Sequence, residues 1–238
     1  MRLHTAEQGS GPRTALLVHG LFSDGTCWHR VAPALAARGF TVAVPDLRGH
    51  GSSPRGRYSP ADWANDLVDT FLDRPVDLAV GHSLGGLSLA IAAHALRPRR
   101  TVYLDPAWRL SAADDARSRA VWTSWLSWTG IEQLRTTLGE RWPDADVELR
   151  WASMWRTDPA VVAGLATGAG YDHSPESAPS PALVLAADPS GYITPEHAAD
   201  LRERGLVVER VRGSGHSWFR EDSEAFLARL DRWLAETG

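Results

Sequence analysis

The feature that most constrains the fold is the run Gly81-His82-Ser83-Leu84-Gly85, because it separates a strand-like segment from a helix-like one. Residues 78–80 form a short apolar segment, whereas residues 87–96 form a longer one. A serine on a tight turn between a buried strand and a helix needs small neighbours, since larger side chains would hold the two elements apart. The pattern G-x-S-x-G in this context predicts a nucleophile elbow that carries the Ser83 hydroxyl.

Short apolar segments recur along the chain, with helical patterns between them. The strand-like segments are 15–18, 40–44, 78–80, 101–104, 182–186 and 206–208. Such segments are typical of strands that are buried on both faces of a parallel sheet. Ser59 and Thr194, each followed by proline, indicate helix starts. The predicted fold class is therefore α/β, with a mostly parallel central sheet flanked by helices.

Residues 108–171 interrupt this alternation, since they contain several amphipathic helical patterns and no clear buried strand. Of the 11 tryptophans in the chain, seven lie here: Trp108, Trp122, Trp125, Trp128, Trp142, Trp151 and Trp155. We interpret the segment as a helical lid inserted between two strands. The predicted organisation is a core of residues 1–107 and 172–238 with a lid of residues 108–171.

Three motifs together resemble the α/β-hydrolase superfamily, especially its small esterase, lactonase and C-C hydrolase branches. They are Gly-His-Ser-Leu-Gly-Gly at 81–86, His19-Gly20, and Asp-Leu-Arg-Gly-His-Gly-Ser-Ser at 46–53. The resemblance implies the α/β-hydrolase fold, with Ser83 as the nucleophile of a catalytic triad. It also implies an oxyanion hole made by the backbone N–H groups of Leu84 and Leu21, with Phe22 as the alternative for the second group. The same resemblance gives His19 the role of orienting a loop.

A serine hydroxyl needs a base within hydrogen-bond reach, because its own pKa lies far above neutral pH. His216 is the candidate, since it lies in a Gly- and Ser-rich loop just after the run 206–211. The resemblance likewise places the base last among the triad members along the chain. His50 and His82 lie in glycine-rich turns and are interpreted as local hydrogen-bonding residues.

The acid that orients the base has two candidates. In most members of the superfamily it follows the strand at 182–187 by about three residues, and that position here is Ser190. Asp188, two positions earlier, and Asp105, at the end of the preceding strand, are the carboxylates that could replace it. We favour Asp105, since a carboxylate at the tip of the earlier strand is also a known acid position in some relatives.

The tryptophan-rich lid predicts a pocket for an apolar or aromatic small molecule. Trp128 in the lid, and Phe22, Asp24 and Trp28 beside the oxyanion loop, are the candidate substrate contacts. The lid arginines, Arg150 among them, are interpreted as solvated surface.

The predicted function is a serine hydrolase that cleaves an ester, thioester or lactone through an acyl-enzyme. Two alternatives keep the same fold. One is a non-hydrolytic enzyme, such as a C-C hydrolase, lyase or cyclase of secondary metabolism, and the other is a ligand-binding receptor without turnover. We expect neither a metal nor an organic cofactor, since no dinucleotide or phosphate-loop motif is present in the sequence.

Charge and cysteine content bear on partners and compartment. A formal charge of −4 provides no attraction to nucleic acid or anionic lipid. No segment approaches the ~20 apolar residues of a membrane span, and the polar first ten residues do not resemble a secretion signal. The single cysteine, Cys27, favours a reducing compartment, so we expect the protein in the cytoplasm. As a separate expectation, the protein is a monomer or a homodimer.

Overall fold

The predicted strands form one twisted sheet in a computed structural model that describes residues 1–178 and 180–237. In chain order the strands are β1 (Thr5–Gln8), β2 (Arg13–Val18), β3 (Phe40–Pro45), β4 (Leu78–His82), β5 (Thr101–Leu104), β6 (Arg109–Leu110), β7 (Tyr171–Asp172), β8 (Ala182–Asp188) and β9 (Val207–Arg212). The helices are α1 (Val31–Ala37), α2 (Pro60–Phe71), α3 (Leu84–Leu96), α4 (Ala112–Trp125), α5 (Ile131–Leu138), α6 (Asp144–Trp155), α7 (Val161–Leu165), α8 (Pro195–Glu203), α9 (Trp218–Glu221) and α10 (Ser223–Glu236). Short 3-10 turns occupy Gly25–Trp28 and Gly139–Arg141.

The central sheet has seven strands in the order β1-β3-β2-β4-β5-β8-β9. All neighbouring strands are parallel except β1 and β3. Successive residues of β2 point to opposite faces, so Leu16 and Val18 enter one hydrophobic cluster, whereas Ala15 and Leu17 enter the other. Burial on both faces explains why these strands read as continuous apolar runs, and the predicted α/β fold class is confirmed.

The strand β1 was not predicted; it pairs antiparallel with β3 at the edge of the sheet. Its residues are Thr, Ala, Glu and Gln, and three of the four are exposed. An edge strand with little burial needs no apolar alternation, because its pairing depends on backbone hydrogen bonds. Composition alone therefore provided no signal for it.

Both predicted capping residues begin helices. The hydroxyl of Ser59 accepts a hydrogen bond from the N–H of Asp62 at 3.1 Å at the start of α2. Thr194 accepts one from the N–H of His197 at 3.1 Å at the start of α8.

The helices α4 to α7 lie in the chain between β5 and β8. A two-stranded antiparallel pair closes the base of this segment, with Arg109 opposite Asp172 and Leu110 opposite Tyr171. The two ends of the helical segment are thereby fastened together beside the core of the sheet. Among the described residues, no helix combines the length and apolarity that crossing a bilayer requires.

Candidate active site

Ser83 lies on a strained turn between β4 and α3, with φ 52° and ψ −116°. A side chain at Gly85 would place its Cβ 2.3 Å from the carbonyl oxygen of Val18, so strand and helix meet too closely for any residue but glycine. The Ser83 side chain makes no capping hydrogen bond to α3. The hydroxyl is therefore not used to begin the helix, and it lines a cavity of about 310 Å³.

His216 lines the same cavity and is held by Asp105. Its Nδ1 lies 2.7 Å from Asp105 Oδ2, and the carboxylate is almost fully buried, with 1% of its side chain exposed. A carboxylate on Nδ1 holds the proton there and leaves Nε2 free to accept one. No hydrogen bond joins Ser83 to His216 among residues 1–178 and 180–237; in unliganded sites such bonds are often long and tighten when substrate binds.

The Asp105 carboxylate is oriented by two further donors, both on Oδ1. The Ser190 hydroxyl donates at 2.6 Å, and the N–H of Ala187 donates at 3.1 Å. Ser190 in turn accepts from the N–H groups of Tyr192 and Ile193 at 3.0 and 2.9 Å. The position at which the resemblance expects the acid is thus a hydroxyl that supports a carboxylate from the neighbouring strand.

Asp188, the other candidate acid, lies elsewhere. Its Oδ1 accepts from Arg210 Nη2 at 2.9 Å, and 31% of its side chain is exposed. Within the described part of the chain it makes no hydrogen bond to His216. The structure therefore brings Asp105, and not Asp188, to the candidate base.

The loop after β2 lies directly against the elbow. A Cβ on Gly20 would lie 2.8 Å from His82 Nδ1 and 3.1 Å from Ser83 Cβ. The backbone N–H groups of Leu21, Phe22 and Leu84 have no acceptor among the described residues. These free donors beside Ser83 are suited to a developing oxyanion.

Three buried histidines, His19, His50 and His82, hydrogen-bond to backbone groups of the loops near Ser83, and His50 Nδ1 lies 3.1 Å from the carbonyl of Arg48. His19 Nδ1 donates to the carbonyl of Gly20 at 2.8 Å, and its Nε2 accepts from the N–H of Leu47 at 2.9 Å. His82 Nε2 donates to the carbonyl of His216 at 3.0 Å. Burial lowers the pKa of His19 and lowers the pKa of His82 well below its usual range. Burial also lowers the pKa of His50 to about 3. All three are therefore neutral at pH 7 and act as hydrogen-bonding groups.

The wall of the cavity is largely aromatic and aliphatic. Its apolar members include Phe22, Trp122, Trp125, Leu134, Leu138 and Trp142. Three of the seven tryptophans between residues 108 and 171 thus line the same cavity as Ser83. The polar members beside Ser83 and His216 include Arg150, Arg141 and Glu221, and the sequence analysis proposed none of these three as a substrate contact.

Of the four predicted substrate contacts, only Phe22 lies among the described residues that line this cavity. Trp28 is fully buried in the core and stacks on Phe219, with ring centroids 4.6 Å apart. Asp24 is also buried, and its carboxylate accepts from Arg156 Nη2 at 2.5 Å. Trp128 packs on Trp125 but lines a second cavity of about 190 Å³. Chain proximity to the oxyanion loop suggested Asp24 and Trp28, but Trp28 packs in the core and Asp24 pairs with Arg156.

Within the part of the chain that the structure describes, no three His, Cys, Asp or Glu side chains are arranged to hold a metal ion. Cys27 is buried near Ser23, and burial raises the pKa of its thiol to about 11. The ionisable side chains that line the cavity are those of His82, His216, Arg141, Arg150, Glu221 and Tyr192.

A serine on a strained elbow after a parallel strand, with a histidine from a later loop in the same cavity, is the arrangement typical of α/β hydrolases. The profile of the Alpha/beta hydrolase family matches residues 15–229, and the chain belongs to this family.

Similar proteins include lipase LipV of Mycobacterium tuberculosis, which is 41% identical over 133 residues, covering 50% of this chain and 46% of that protein. An epoxide hydrolase of Caballeronia sordidicola is 30% identical over 63% of this chain and 50% of its own length. An uncharacterised Mycobacterium tuberculosis protein is 50% identical over 82 residues, 33% of this chain and 24% of that protein. The chain therefore spans half or less of these curated relatives.

Solved structures share the fold over nearly the whole chain. E-2-(acetamidomethylene)succinate hydrolase has a TM-score of 0.79 at 24% identity, covering 98% of this chain and 95% of that one. A marine microorganism esterase has a TM-score of 0.76 at 19% identity, covering 98% and 99%. At these identities the likeness establishes the fold alone.

Proposed function

We propose that the protein is a serine hydrolase that cleaves an ester, thioester or lactone of an apolar or aromatic small molecule through an acyl-enzyme. The observation that carries the proposal is the position of Ser83 on a strained elbow, in one cavity with a histidine whose Nδ1 is bound to a buried carboxylate. The similarity to lipase LipV supports hydrolysis of a carboxylic ester.

In the proposed first step, His216 Nε2 takes the proton of the Ser83 hydroxyl as the oxygen attacks the substrate carbonyl carbon. The carbonyl π electrons move to the oxygen, and the N–H groups of Leu84 and Leu21, or Phe22 in place of Leu21, donate to it. Removing one such donor in other enzymes lowers kcat by about 10²–10³-fold. The imidazolium next protonates the leaving oxygen or sulfur, which departs as the carbonyl re-forms.

Water completes the proposed reaction. His216 Nε2 takes a proton from a water molecule, whose oxygen attacks the acyl carbon. The Ser83 oxygen then leaves and recovers its proton from the imidazolium. In both steps Asp105 holds the tautomer of His216 and stabilises the imidazolium.

The cavity walls support an apolar or aromatic acyl or leaving group. Trp122, Trp125 and Trp142 present large ring surfaces. The cavity volume of about 310 Å³ is in the range of small-molecule binding sites, in which burial of an apolar group contributes to binding.

The test is reaction with a fluorophosphonate probe, read by intact-protein mass, beside turnover of 4-nitrophenyl butyrate. We expect one adduct and ester turnover for the wild type, and neither for Ser83→Ala. Ser88→Ala is the matched control, since Ser88 is a buried serine of α3 whose hydroxyl donates to the carbonyl of Leu84 at 2.8 Å. Labelling that persists in Ser83→Ala, or a wild type that neither labels nor turns over esters, would refute the proposal and favour a receptor.

A further inference from the structure

Arg150, on α6, brings a guanidinium group to the cavity that contains Ser83. Its Nη1 donates to the carbonyl of Leu21 at 2.6 Å, and its charge lies 5.8 Å from the centre of the Phe22 ring. Among residues 1–178 and 180–237, no carboxylate forms an ion pair with it. Within that part of the chain, Arg150 is thus a cation at the wall of the active-site cavity without an ion-pair partner.

The neighbouring arginines, in contrast, lie opposite carboxylates. Arg156 binds Asp24 at 2.5 Å, Arg30 binds Asp146 at 2.6 Å, and Arg220 lies 3.9 Å from the same Asp146. Arg150, Arg156 and Arg220 each donate to a residue of the loop 21–24, and Asp24 is the one carboxylate of that loop. Burial and the nearby charge of Arg220 lower the pKa of Arg150 to about 9, so it remains cationic at neutral pH. An anion in the cavity would balance the excess positive charge.

The hydrogen bond to Leu21 does not explain why a charged guanidinium group, and not a neutral donor, occupies this position. A carbonyl takes one of the five N–H donors of an arginine, and any neutral donor of similar length would serve it. The remaining donors form a planar fork, whose geometry matches a carboxylate. A second arginine of the wall, Arg141, is already opposite Glu221 at 3.4 Å, which leaves Arg150 as the group suited to a ligand's charge.

We propose that Arg150 binds a carboxylate of the substrate, so that the substrate is an ester, thioester or lactone that also bears a free acid group. The proposal rests on the proposed function and narrows its substrate class. Because Arg150 contacts the loop that carries the Leu21 and Phe22 N–H groups, the free acid lies on the oxyanion side of the reacting carbonyl. The tryptophan walls then contact the apolar part of the same molecule.

The test compares acid esters with neutral esters of equal chain length. The mono-4-nitrophenyl esters of succinate, glutarate and adipate are paired with 4-nitrophenyl butyrate, pentanoate and hexanoate, and spontaneous hydrolysis is subtracted. The wild type is expected to favour at least one acid ester by about tenfold or more in kcat/KM. Arg150→Gln, which keeps an amide donor for Leu21, is expected to lose about 10- to 100-fold on that ester, the range typical of a charge-assisted hydrogen bond. Its loss on the neutral partner is expected to stay below about threefold, since no charge is bound there.

Two controls separate the roles of Arg150. Arg119→Gln removes an exposed arginine of α4 and is expected to leave both kinds of ester unchanged. Arg150→Lys keeps the charge and is expected to retain part of the preference for the acid. An equal loss on acid and neutral esters in Arg150→Gln would assign Arg150 to holding the oxyanion loop, and it would overturn the proposal. A wild type without preference for any acid ester would overturn it too.

A binding measurement keeps this inference separate from the proposed function. Ser83→Ala, which has no nucleophile, is titrated with 4-phenylbutyrate and with neutral 4-phenylbutanamide, and the fluorescence of the cavity tryptophans reports binding. Tighter binding of the acid that disappears in the Ser83→Ala/Arg150→Gln double variant supports the carboxylate site, whether or not the wild type turns over esters. Equal binding of the two ligands refutes the site even where ester turnover is robust.

Discussion

Replacing Asp105 by asparagine is the most informative single change, because the structure dictates how the new amide must lie. Oδ1 of Asp105 accepts from two donors, the Ser190 hydroxyl at 2.6 Å and the Ala187 N–H at 3.1 Å. The amide oxygen of the introduced asparagine has to occupy that position, since an NH2 group cannot accept. The NH2 group is then directed at His216 Nδ1, which lies 2.7 Å from Oδ2 in the wild type.

An NH2 donor at Nδ1 forces the proton of the imidazole onto Nε2, the atom that must take the proton from Ser83. We therefore expect kcat for 4-nitrophenyl butyrate to fall by about 10⁴-fold, as the wrong tautomer does in serine proteases. KM is expected to change little, because Asp105 is buried and is not among the described residues that line the cavity. The assay is steady-state hydrolysis, with circular dichroism and thermal melting to establish that the variant is folded.

Asp188→Asn is the matched control, an aspartate-to-asparagine change at the end of the next strand. Asp188 pairs with Arg210 at a partly exposed position, so we expect less than about a threefold change in kcat. A folded Asp105→Asn variant that keeps more than a tenth of wild-type kcat would contradict this reasoning. So would an Asp188→Asn variant whose kcat falls as far as that of Asp105→Asn.

Three further predictions concern the scaffold of the site. Gly85→Ala places a Cβ 2.3 Å from the carbonyl oxygen of Val18, so we expect at least about 3 kcal/mol of lost stability in urea unfolding or no soluble protein, whereas Gly130→Ala, with open space around it, should change it by less than about 1 kcal/mol; equal effects would count against the close approach. Ser190→Ala removes a donor to a buried carboxylate and should cost about 1.5–3 kcal/mol in the same assay, with a fall in kcat; an unchanged stability would show that this hydroxyl does not matter. Burial lowers the pKa of His50 to about 3, below its unfolded value of 6.5, so the unfolded chain binds more protons below pH 6.5. Stability is then complete above pH 6.5 and falls by up to about 1.4 kcal/mol per pH unit between pH 6.5 and 3 for this residue, a slope that urea titrations should show reduced in His50→Gln.

Much of the local architecture was readable in the sequence, because its causes are local. Parallel strands buried on both faces need uninterrupted apolar residues, and a serine on a strained turn needs glycine at 81 and 85, so these signals lie within a few residues of each other. The strand at Thr5–Gln8 was not predicted, because an exposed edge strand requires no apolar pattern.

The choice of acid could not be made from the sequence. Asp105 and Asp188 both end apolar strands, and the positions of β5 and β8 side by side allow either to approach the same loop. The direction of each side chain decides the matter: Asp105 points to His216, and Asp188 points to Arg210. That direction depends on pairing between strands that are distant in the chain.

By itself, the sequence determined the α/β class, the elbow with Ser83, and the loop that carries His216, because each follows from short-range spacing and burial. Only the tertiary structure decided which carboxylate orients the histidine, that Trp28 belongs to the core and that Asp24 pairs with Arg156. It also placed Arg150, which the sequence analysis interpreted as a solvated lid residue, as a cation beside the oxyanion loop. These outcomes depend on contacts between residues 111 or more positions apart, which no local pattern encodes.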